Sequence, residues 1–362
     1  MKFIDLQTQY KKIKDDIDLA VQLVLDHGFY VNGPEISKLE KKLKAFIGVN
    51  HCISVANGTD ALEIAQKAID IKDGDEVIVP SFTWVSTAET VKYLGGNPIF
   101  CDVDINTFNI SVEDAASKIT KKTKAIVAVS LFGQCADLHK LKMLCDDNKI
   151  YLIEDGAQSF GASHGKSMSC SVAHISTTSF FPSKPLGCYG DGGAVFTNDD
   201  ELEERMRLIA RHGQSGKDDF SIVGRNSRLD TIQAAILLEK LKIFEFEIER
   251  RNIVHEKYMS NLKNSCFKTP HIKGDNRSVF AQYTLKGNPS DIKKAQLELS
   301  NKNIPFVSYY EKPLHLQEAY VNRKKIKLEN TEVLSKSTIS LPMSPYLTTE
   351  EIEYISAIMC DI

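Results

Sequence analysis

Lys184 lies in a segment whose prolines make the backbone rigid and whose glycines let the backbone pack closely against its neighbours. Pro182 and Pro185 each remove a backbone donor and fix φ, so neither a regular helix nor a central strand is predicted through Lys184. Phe180 and Phe181 precede it and predict an apolar wall. A lysine beside such a wall is a candidate amine nucleophile, because desolvation lowers its pKa. The alternative interpretation is a surface turn with a solvated lysine. The glycines that permit a close-approaching backbone are Gly187, Gly190, Gly192 and Gly193.

A possible anion site precedes this loop in the chain. Asn57-Gly58-Thr59-Asp60 follows a short apolar run and opens a helical pattern. The free N–H groups and the dipole of a helix N-terminus attract anions such as phosphate. The alternative is an ordinary helix N-cap with no ligand.

Two further residues follow the ends of predicted strands, where open α/β sheets bind ligands. Asp155 comes after the predicted strand 150–154, and its carboxylate suits a cationic ring nitrogen or a metal, with a helix cap as the alternative. Trp84 follows the run 76–79 and suits stacking on a flat cofactor, with core packing as the alternative. A lysine, an anion site, a carboxylate and a stacking ring are the groups that pyridoxal phosphate needs.

The elements that must position these residues form an α/β pattern. Apolar strands alternate with helices from residue 51 to about 197, which predicts a mostly parallel sheet covered on both faces. We expect a helical arm over 1–48, with its first helix ending at Gly28, and a large domain over 49–245. A small α+β domain is expected over 246–362, joined through a long helical pattern at 227–262.

Finer expectations concern this small domain and one helix start. Strands are predicted at 282–286, 305–309 and 338–341, and helices begin near Ser290 and Thr349. Ser111 and Asp114 resemble a capping box.

Composition narrows the function classes. The chain has 362 residues, 42% of them apolar, and a net charge of −3, which indicates neither nucleic acid nor a membrane surface as a partner. It has no apolar run long enough to span a membrane and no signal-peptide core at its N-terminus. Its eight cysteines have no metal-ligand spacing, so we expect reduced thiols and no metal site.

The sequence as a whole resembles the sugar aminotransferases of the DegT/DnrJ type, over essentially the whole chain. The resemblance implies fold type I of the pyridoxal phosphate-dependent transferases, as in aspartate aminotransferase, with a mostly parallel seven-stranded sheet in the large domain. The motifs that carry it are Phe3-Ile-Asp-Leu6, Ala56-Asn-Gly-Thr-Asp-Ala-Leu62, Glu154-Asp155 with Ala157-Gln-Ser-Phe-Gly-Ala162, the Lys184 loop, Arg211-His-Gly-Gln214, Asn226-Ser-Arg-Leu-Asp230 and Pro313-Leu-His315.

The resemblance also implies roles for single residues. Lys184 would bond covalently to the cofactor and move the proton, and Asp155 would pair with the ring nitrogen. Gln158 would bond the ring hydroxyl, and Trp84 would stack on the ring. The phosphate would be bound by Gly58, Thr59 and Ser179, together with Asn226 from a neighbouring subunit. The expected substrate contacts are Arg228, Tyr309, Tyr310 and His315.

The sequence departs from the family pattern at two places. Gly156 stands where relatives usually have alanine, which predicts a looser backbone before Gln158. Ser308 precedes Tyr309 and Tyr310 where relatives often have a histidine, which puts the substrate contacts there in question.

The function that the resemblance implies is transfer of the amino group of glutamate to C3 of a UDP-linked 3-keto sugar. The form of the loop, Pro182-Ser-Lys-Pro-Leu-Gly187 with Gly190-Asp-Gly-Gly193, resembles relatives that act at C3 rather than C4. The implied sugar is a 2-acetamido-3-keto uronic acid, used in the cytoplasm by a homodimer for the O-antigen of lipopolysaccharide. The alternatives are a dTDP-3-keto-6-deoxyhexose aminotransferase and a non-catalytic regulator that binds a nucleotide sugar. A Rossmann dehydrogenase is disfavoured because no Gly-x-Gly-x-x-Gly follows an early strand.

Overall fold

The computed structural model describes residues 1–320 and 326–362. Within them the strands are β1 (His51–Val55), β2 (Glu76–Pro80), β3 (Asn97–Cys101), β4 (Thr123–Val129), β5 (Tyr151–Asp155), β6 (Ser163–His164), β7 (Ser167–Met168), β8 (Ile175–Ser179), β9 (Gly193–Thr197), β10 (Gln214–Gly216), β11 (Asp219–Phe220), β12 (Asn276–Arg277), β13 (Tyr283–Lys286) and β14 (Thr338–Leu341). The helices are α1 (Leu6–Lys12), α2 (Lys14–His27), α3 (Pro34–Ile47), α4 (Gly58–Ala68), α5 (Ser86–Tyr93), α6 (Val112–Ser117), α7 (Leu138–Asn148), α8 (Asp200–Ala210), α9 (Thr231–Asn261), α10 (Pro289–Asn301), α11 (Glu329–Leu334) and α12 (Thr349–Cys360). Helical turns of the 3₁₀ type lie at Leu131–Gly133 and Leu314–Leu316.

The centre of the large domain is a seven-stranded sheet in the order β1-β9-β8-β5-β4-β2-β3. Its neighbouring strands run parallel, except that β9 runs antiparallel to both β1 and β8. The mostly parallel sheet predicted from the alternating pattern is therefore confirmed. The carboxyl ends of β1, β5 and β8 meet the start of β9 at one edge, and the motif residues follow these ends.

Both faces of the sheet are buried because successive side chains of its strands point to opposite sides. In β4, Ile126 packs into the core on the α3 and α9 side, whereas Val127 packs into the core on the α4 side. Leu152 and Ile153 divide in the same way in β5. These strands therefore read as continuous apolar runs, as strands covered on both faces do.

The N-terminal helices and α9 join the parts of the chain. Gly28 ends α2 with φ 73°, as predicted. The helix α9 has 31 residues and passes through the predicted 245/246 boundary without a break. Phe244 and Ile248 of α9 belong to the large-domain core, whereas Val254 and Tyr258 belong to the small-domain core. The long connecting helix is confirmed, and the exact boundary stays a prediction. No helix among the residues described is both long and apolar enough to cross a membrane.

Two local predictions were wrong or incomplete. The strand expected at 305–309 is a single bridge between Val307 and Ser340, because the chain turns at Tyr310, which has φ 59°. Ser111 Oγ accepts from Asp114 N at 3.1 Å, but the Asp114 carboxylate accepts from Asp102 N at 2.7 Å. Only half of the expected capping box therefore forms, and Asp114 joins the helix to the end of β3.

Candidate active site

The Lys184 loop connects β8 to β9 and is closed by backbone hydrogen bonds. Phe180 N donates to Gly192 O at 2.8 Å, and Lys184 N donates to Phe181 O at 2.9 Å. A Cβ at Gly187 would lie 2.6 Å from the carbonyl oxygen of Phe181, so only glycine fits there. As predicted, neither a helix nor a strand passes through Lys184, and the loop fixes its backbone at the edge of the sheet.

Asp155 ends β5, beside β8, and its charge affects the pKa of the Lys184 amine, although the two side chains form no ion pair in the described part of the chain. The residue is only 7% exposed, and its Oδ1 accepts from Ala157 N at 3.1 Å. Burial raises the pKa of Asp155 and lowers the pKa of Lys184, and the charge of each partly opposes the shift of the other. The lowered pKa increases the uncharged fraction of the Lys184 amine, which is the nucleophilic form.

Thr87 belongs to the same site, and the sequence reasoning missed it. Its side chain is fully buried in α5, and its hydroxyl has no hydrogen-bond partner among the described residues. This hydroxyl faces the Asp155 carboxylate and opposes the rise in its pKa. The available signal was its place three residues after Trp84, in the helix that follows β2.

The helix N-terminus predicted as an anion site lies where β1 leads into α4, and anion binding there stays a prediction. Asn57 Oδ1 caps the helix by accepting from Asp60 N at 2.8 Å. The N–H groups of Gly58 and Thr59 belong to the first turn, which has no partners within the helix. A Cβ at Gly58 would lie 2.7 Å from the Cβ of Ser179, so glycine lets this helix end approach β8.

Gln158 is held in a fixed orientation by two partners. Its Oε1 accepts from Phe132 N at 2.8 Å, and its Nε2 donates to the Tyr310 hydroxyl at 3.0 Å. Phe132 and Tyr310 have positive φ values of 56° and 59°, and their rings stack 6.2 Å apart. Burial raises the pKa of the Tyr310 hydroxyl, so it stays protonated. The amide of Gln158 has one N–H left for a ligand.

Glu154 is a second buried carboxylate at the end of β5, and it binds the loops that surround the site. Its Oε1 accepts from Ser130 Oγ at 2.9 Å and from Ser169 Oγ at 2.7 Å. Its Oε2 accepts from Cys170 N at 2.7 Å. Burial raises the pKa of Glu154, and these three donors oppose that rise. Glu154 therefore fixes the loops after β4 and β7 next to Asp155.

Gly156 has a local explanation that the sequence did not provide. A Cβ there would overlap the Sγ of Cys170 and would lie 3.2 Å from Ser169 Oγ. The backbone is not loose, because Gly156 N donates to Thr177 O at 2.8 Å. Cys170 therefore fills the volume that the alanine of relatives would need.

We expect Gly156→Ala to destabilise the apo protein by about 1–3 kcal/mol, the usual cost of overpacking a filled core. Cys170→Ala in the same chain should restore most of that loss, because it removes the overlapping sulfur. Denaturant unfolding of both single variants and the double variant measures the coupling. An equal cost of Gly156→Ala with and without Cys170 would contradict this account.

The other predicted contacts lie in different surroundings. Trp84 is 64% exposed at the sheet edge and has a face free for stacking. Tyr309 is partly buried against Phe132. The His315 side chain is only 2% exposed, and its Nδ1 lies 2.7 Å from Ser81 Oγ. His315 therefore stabilises the loop after β2, and its ring is not exposed to solvent.

Asn226 and Arg228 lie in the segment that leads into α9. Asn226 is exposed, and its backbone pairs with Arg211 in an isolated bridge. Arg228 is partly buried, and its guanidinium makes no ion pair or hydrogen bond within the described part of the chain. Ser227 Oγ, between them, accepts from Ala56 N at 3.1 Å and joins the segment to the start of the anion site. The roles of Asn226 and Arg228 stay predictions.

These residues fit pyridoxal phosphate. The glycine-lined helix N-terminus suits the phosphate, and the buried Asp155 suits a protonated ring nitrogen. The lowered pKa of Lys184 suits covalent attachment. Lys184, Asp155, Gly58, Ser179 and Gln158 were predicted as neighbours, and the structure brings them to one edge.

Comparison with known proteins agrees with this arrangement. The model of the DegT/DnrJ/EryC1/StrS aminotransferase family matches residues 11–360. The UDP-2-acetamido-2-deoxy-3-oxo-D-glucuronate aminotransferase of Pseudomonas aeruginosa is 49% identical over 357 residues, which cover 99% of each chain. A DegT DnrJ EryC1 StrS aminotransferase structure from Brucella abortus has 41% identity and a TM-score of 0.95, covering 99% of this chain and 98% of that one. The structure of S. venezuelae DesV in complex with a ketimine intermediate has 31% identity and a TM-score of 0.96, covering 99% and 97%.

Proposed function

This chain belongs to the DegT/DnrJ/EryC1/StrS aminotransferase family, and from that premise we propose that it moves the amino group of glutamate to C3 of a UDP-linked 3-keto sugar. It is a pyridoxal phosphate-dependent enzyme with the type I fold. The proposed sugar is a 2-acetamido-3-keto uronic acid. The observation that carries this choice is the 49% identity, along nearly the whole chain, to an aminotransferase named for such a substrate.

Lys184 performs the covalent and proton-transfer work in this proposal. The cofactor, when bound, supplies an electron sink for the bond that breaks at the amino acid α-carbon. Burial favours the uncharged amine of Lys184, so its Nζ would attach to the cofactor. The amino group of glutamate would then displace Nζ, and the freed amine could accept the α-proton of glutamate. The same Nζ returns a proton when the amino group passes to the sugar.

Other residues orient the cofactor. Asp155 pairs with the ring nitrogen, and Gln158 bonds the ring hydroxyl with its remaining N–H. Trp84 covers one face of the ring. Gly58 and Thr59 bind the phosphate with first-turn N–H groups, where the helix dipole favours a negative charge. Ser179 adds its hydroxyl.

The proposal includes a homodimer with shared sites, in which Asn226 of one subunit reaches the phosphate in the other. The exposure of Asn226 supports this, since a residue that serves a neighbouring subunit must lie on the surface. Tyr309 and Tyr310 line the sugar side of the site, and His315 holds the loop that carries Phe82 and Trp84. With glutamate and a nucleotide sugar as substrates, we place the enzyme in the cytoplasm, in the synthesis of the O-antigen of lipopolysaccharide.

The test loads the enzyme with glutamate, removes the 2-oxoglutarate, and then offers matched keto sugars. The set contains 3-keto and 4-keto sugars on UDP and on dTDP, with and without a uronic carboxylate. Return of the cofactor absorbance measures amino transfer. We expect the UDP-linked 3-keto uronic acid to react fastest. Reaction with a 4-keto sugar alone would contradict amino transfer to C3. Preference for the dTDP-3-keto-6-deoxyhexose would favour the alternative sugar.

Arg228 is the proposed partner of the uronic carboxylate, because its planar guanidinium suits bidentate pairing and has no partner in the described chain. Arg228→Gln should raise KM for the uronic substrate on the order of 10–100-fold, as expected from the loss of about 1.5–3 kcal/mol for a charged hydrogen bond. The matched control is the neutral 3-keto sugar, whose KM should stay within about twofold. An equal rise in KM for both sugars would contradict the proposed contact between Arg228 and the uronic carboxylate.

A further inference from the structure

A partly buried ion-pair cluster joins α4 to the segment that ends at Asn226. Arg225 Nη2 lies 2.7 Å from Asp60 Oδ1, and Arg225 Nη1 pairs with Glu63. Asp60 is almost buried, and Arg225 and Glu63 are about one third and one fifth exposed. A guanidinium held by two carboxylates on one helix face has a fixed direction, unlike an exposed single pair.

The backbone next to Arg225 is also fixed at this point. His212 N donates to Arg225 O at 2.9 Å, and Arg225 N donates to Ile209 O at 2.8 Å. Beyond His212 the chain forms the β10–β11 hairpin, whose residues are exposed, including Phe220 at 60%. Arg225 therefore anchors the base of a projecting hairpin and lies directly before Asn226.

The same helix carries the anion site. Gly58 and Thr59 form the first turn of α4, and Asp60 and Glu63 lie in its first two turns. The phosphate site at the N-terminus of α4 and the carboxylates that bind Arg225 therefore belong to one rigid helix. The position of Asn226 is set relative to the phosphate site of its own chain, although its proposed ligand lies in the partner's site.

We propose that Arg225 is a positioning residue that acts in trans: through Asp60 and Glu63 it places Asn226 and Arg228 for the active site of a second copy of this chain. This inference rests on the proposed function, since it requires the homodimer with shared sites. If the ion pair only stabilised its own subunit, its removal would lower folding stability and leave the cofactor affinity of the dimer unchanged.

The first test measures the affinity of apo dimers for the cofactor. Binding is monitored by absorbance, at a temperature where all variants are folded. Arg225→Gln should weaken affinity on the order of 10–100-fold, the range seen when partners that orient metal ligands are removed. Arg225→Lys keeps the charge and should recover part of it. The matched control is Arg205→Gln, which removes the pair that Arg205 forms with Asp70, in the turn just after the same helix. We expect no change there.

The second test separates action in trans from action in cis. Arg225→Gln subunits and Lys184→Ala subunits are co-expressed with different tags and purified as mixed dimers. In each, one site has Lys184 and receives Asn226 from a subunit with an intact Arg225. Action in trans predicts about half of the wild-type activity per dimer. Activity as low as that of the Arg225→Gln homodimer would overturn the inference.

The glutamate half-reaction is the readout, so the result does not depend on the sugar. If the mixed dimers recover activity while no 3-keto sugar is aminated, the substrate proposal fails and the role of Arg225 stands. If the sugar assay succeeds while Arg225→Gln binds the cofactor like the wild type, the role of Arg225 is excluded. A fully active wild-type monomer would overturn this inference and the shared sites together.

Discussion

We expect Lys184→Ala to lose turnover by at least about 10³–10⁴-fold, because the variant lacks both the covalent anchor and the proton carrier. Alanine leaves the loop intact, since the Lys184 N–H bond to Phe181 O is made by the backbone. The variant should therefore still bind the cofactor through the phosphate and ring contacts. Stopped-flow absorbance with glutamate measures the loss.

A second buried lysine provides a matched control. Lys240 lies under the same loop, 4.9 Å from the centre of the Tyr189 ring, and burial lowers its pKa to about 8. Borohydride reduction of the wild type followed by peptide mapping should place the cofactor on Lys184, and Lys240→Met should not change that result. Cofactor attached to Lys240, or substantial transamination by Lys184→Ala, would contradict the assignment.

The presence of Asp155, Ser179 and Gly58 at one edge of the sheet could be predicted, because it follows from a general property of parallel sheets. Asp155 and Ser179 end neighbouring parallel strands, and Gly58 follows β1, which lies beyond the antiparallel β9. Strand ends are marked in the sequence by apolar runs, and ligands bind where parallel strands end. The apolar pattern placed each residue at a strand end. The strand order β1-β9-β8-β5, which makes the residues neighbours, is given by the structure and was not predicted from the sequence.

Contacts between distant segments could not be predicted in the same way. The overlap of a Gly156 Cβ with Cys170, and the pairing of Arg225 with Asp60, depend on side-chain packing rather than on periodicity. The expected strand at 305–309 failed because the apolar pattern there does not reveal the left-handed turn at Tyr310. Such features depend on tertiary contacts, which override local propensity.

The second large effect is expected for Asp155→Asn. Asparagine keeps the size of the side chain and can still accept from Ala157 N, so we expect cofactor binding to survive. The lost charge removes the partner proposed for the protonated ring nitrogen, which makes the bound ring a poorer electron sink. The cost should be about 3–4 kcal/mol of transition-state stabilisation, roughly 10²–10³-fold in kcat, the scale for one preorganised electrostatic group.

The control for this prediction is Asp191→Asn, which makes the same chemical change at an exposed carboxylate of the Lys184 loop. Its kcat should stay within about twofold of wild type, because an exposed charge is screened by solvent. The glutamate half-reaction, measured at saturating cofactor, separates lost chemistry from lost binding. Asp155 is buried and interacts with Lys184, so its charge acts where water screens little. An Asp155→Asn enzyme within about threefold of wild type would show that the ring nitrogen does not depend on this carboxylate.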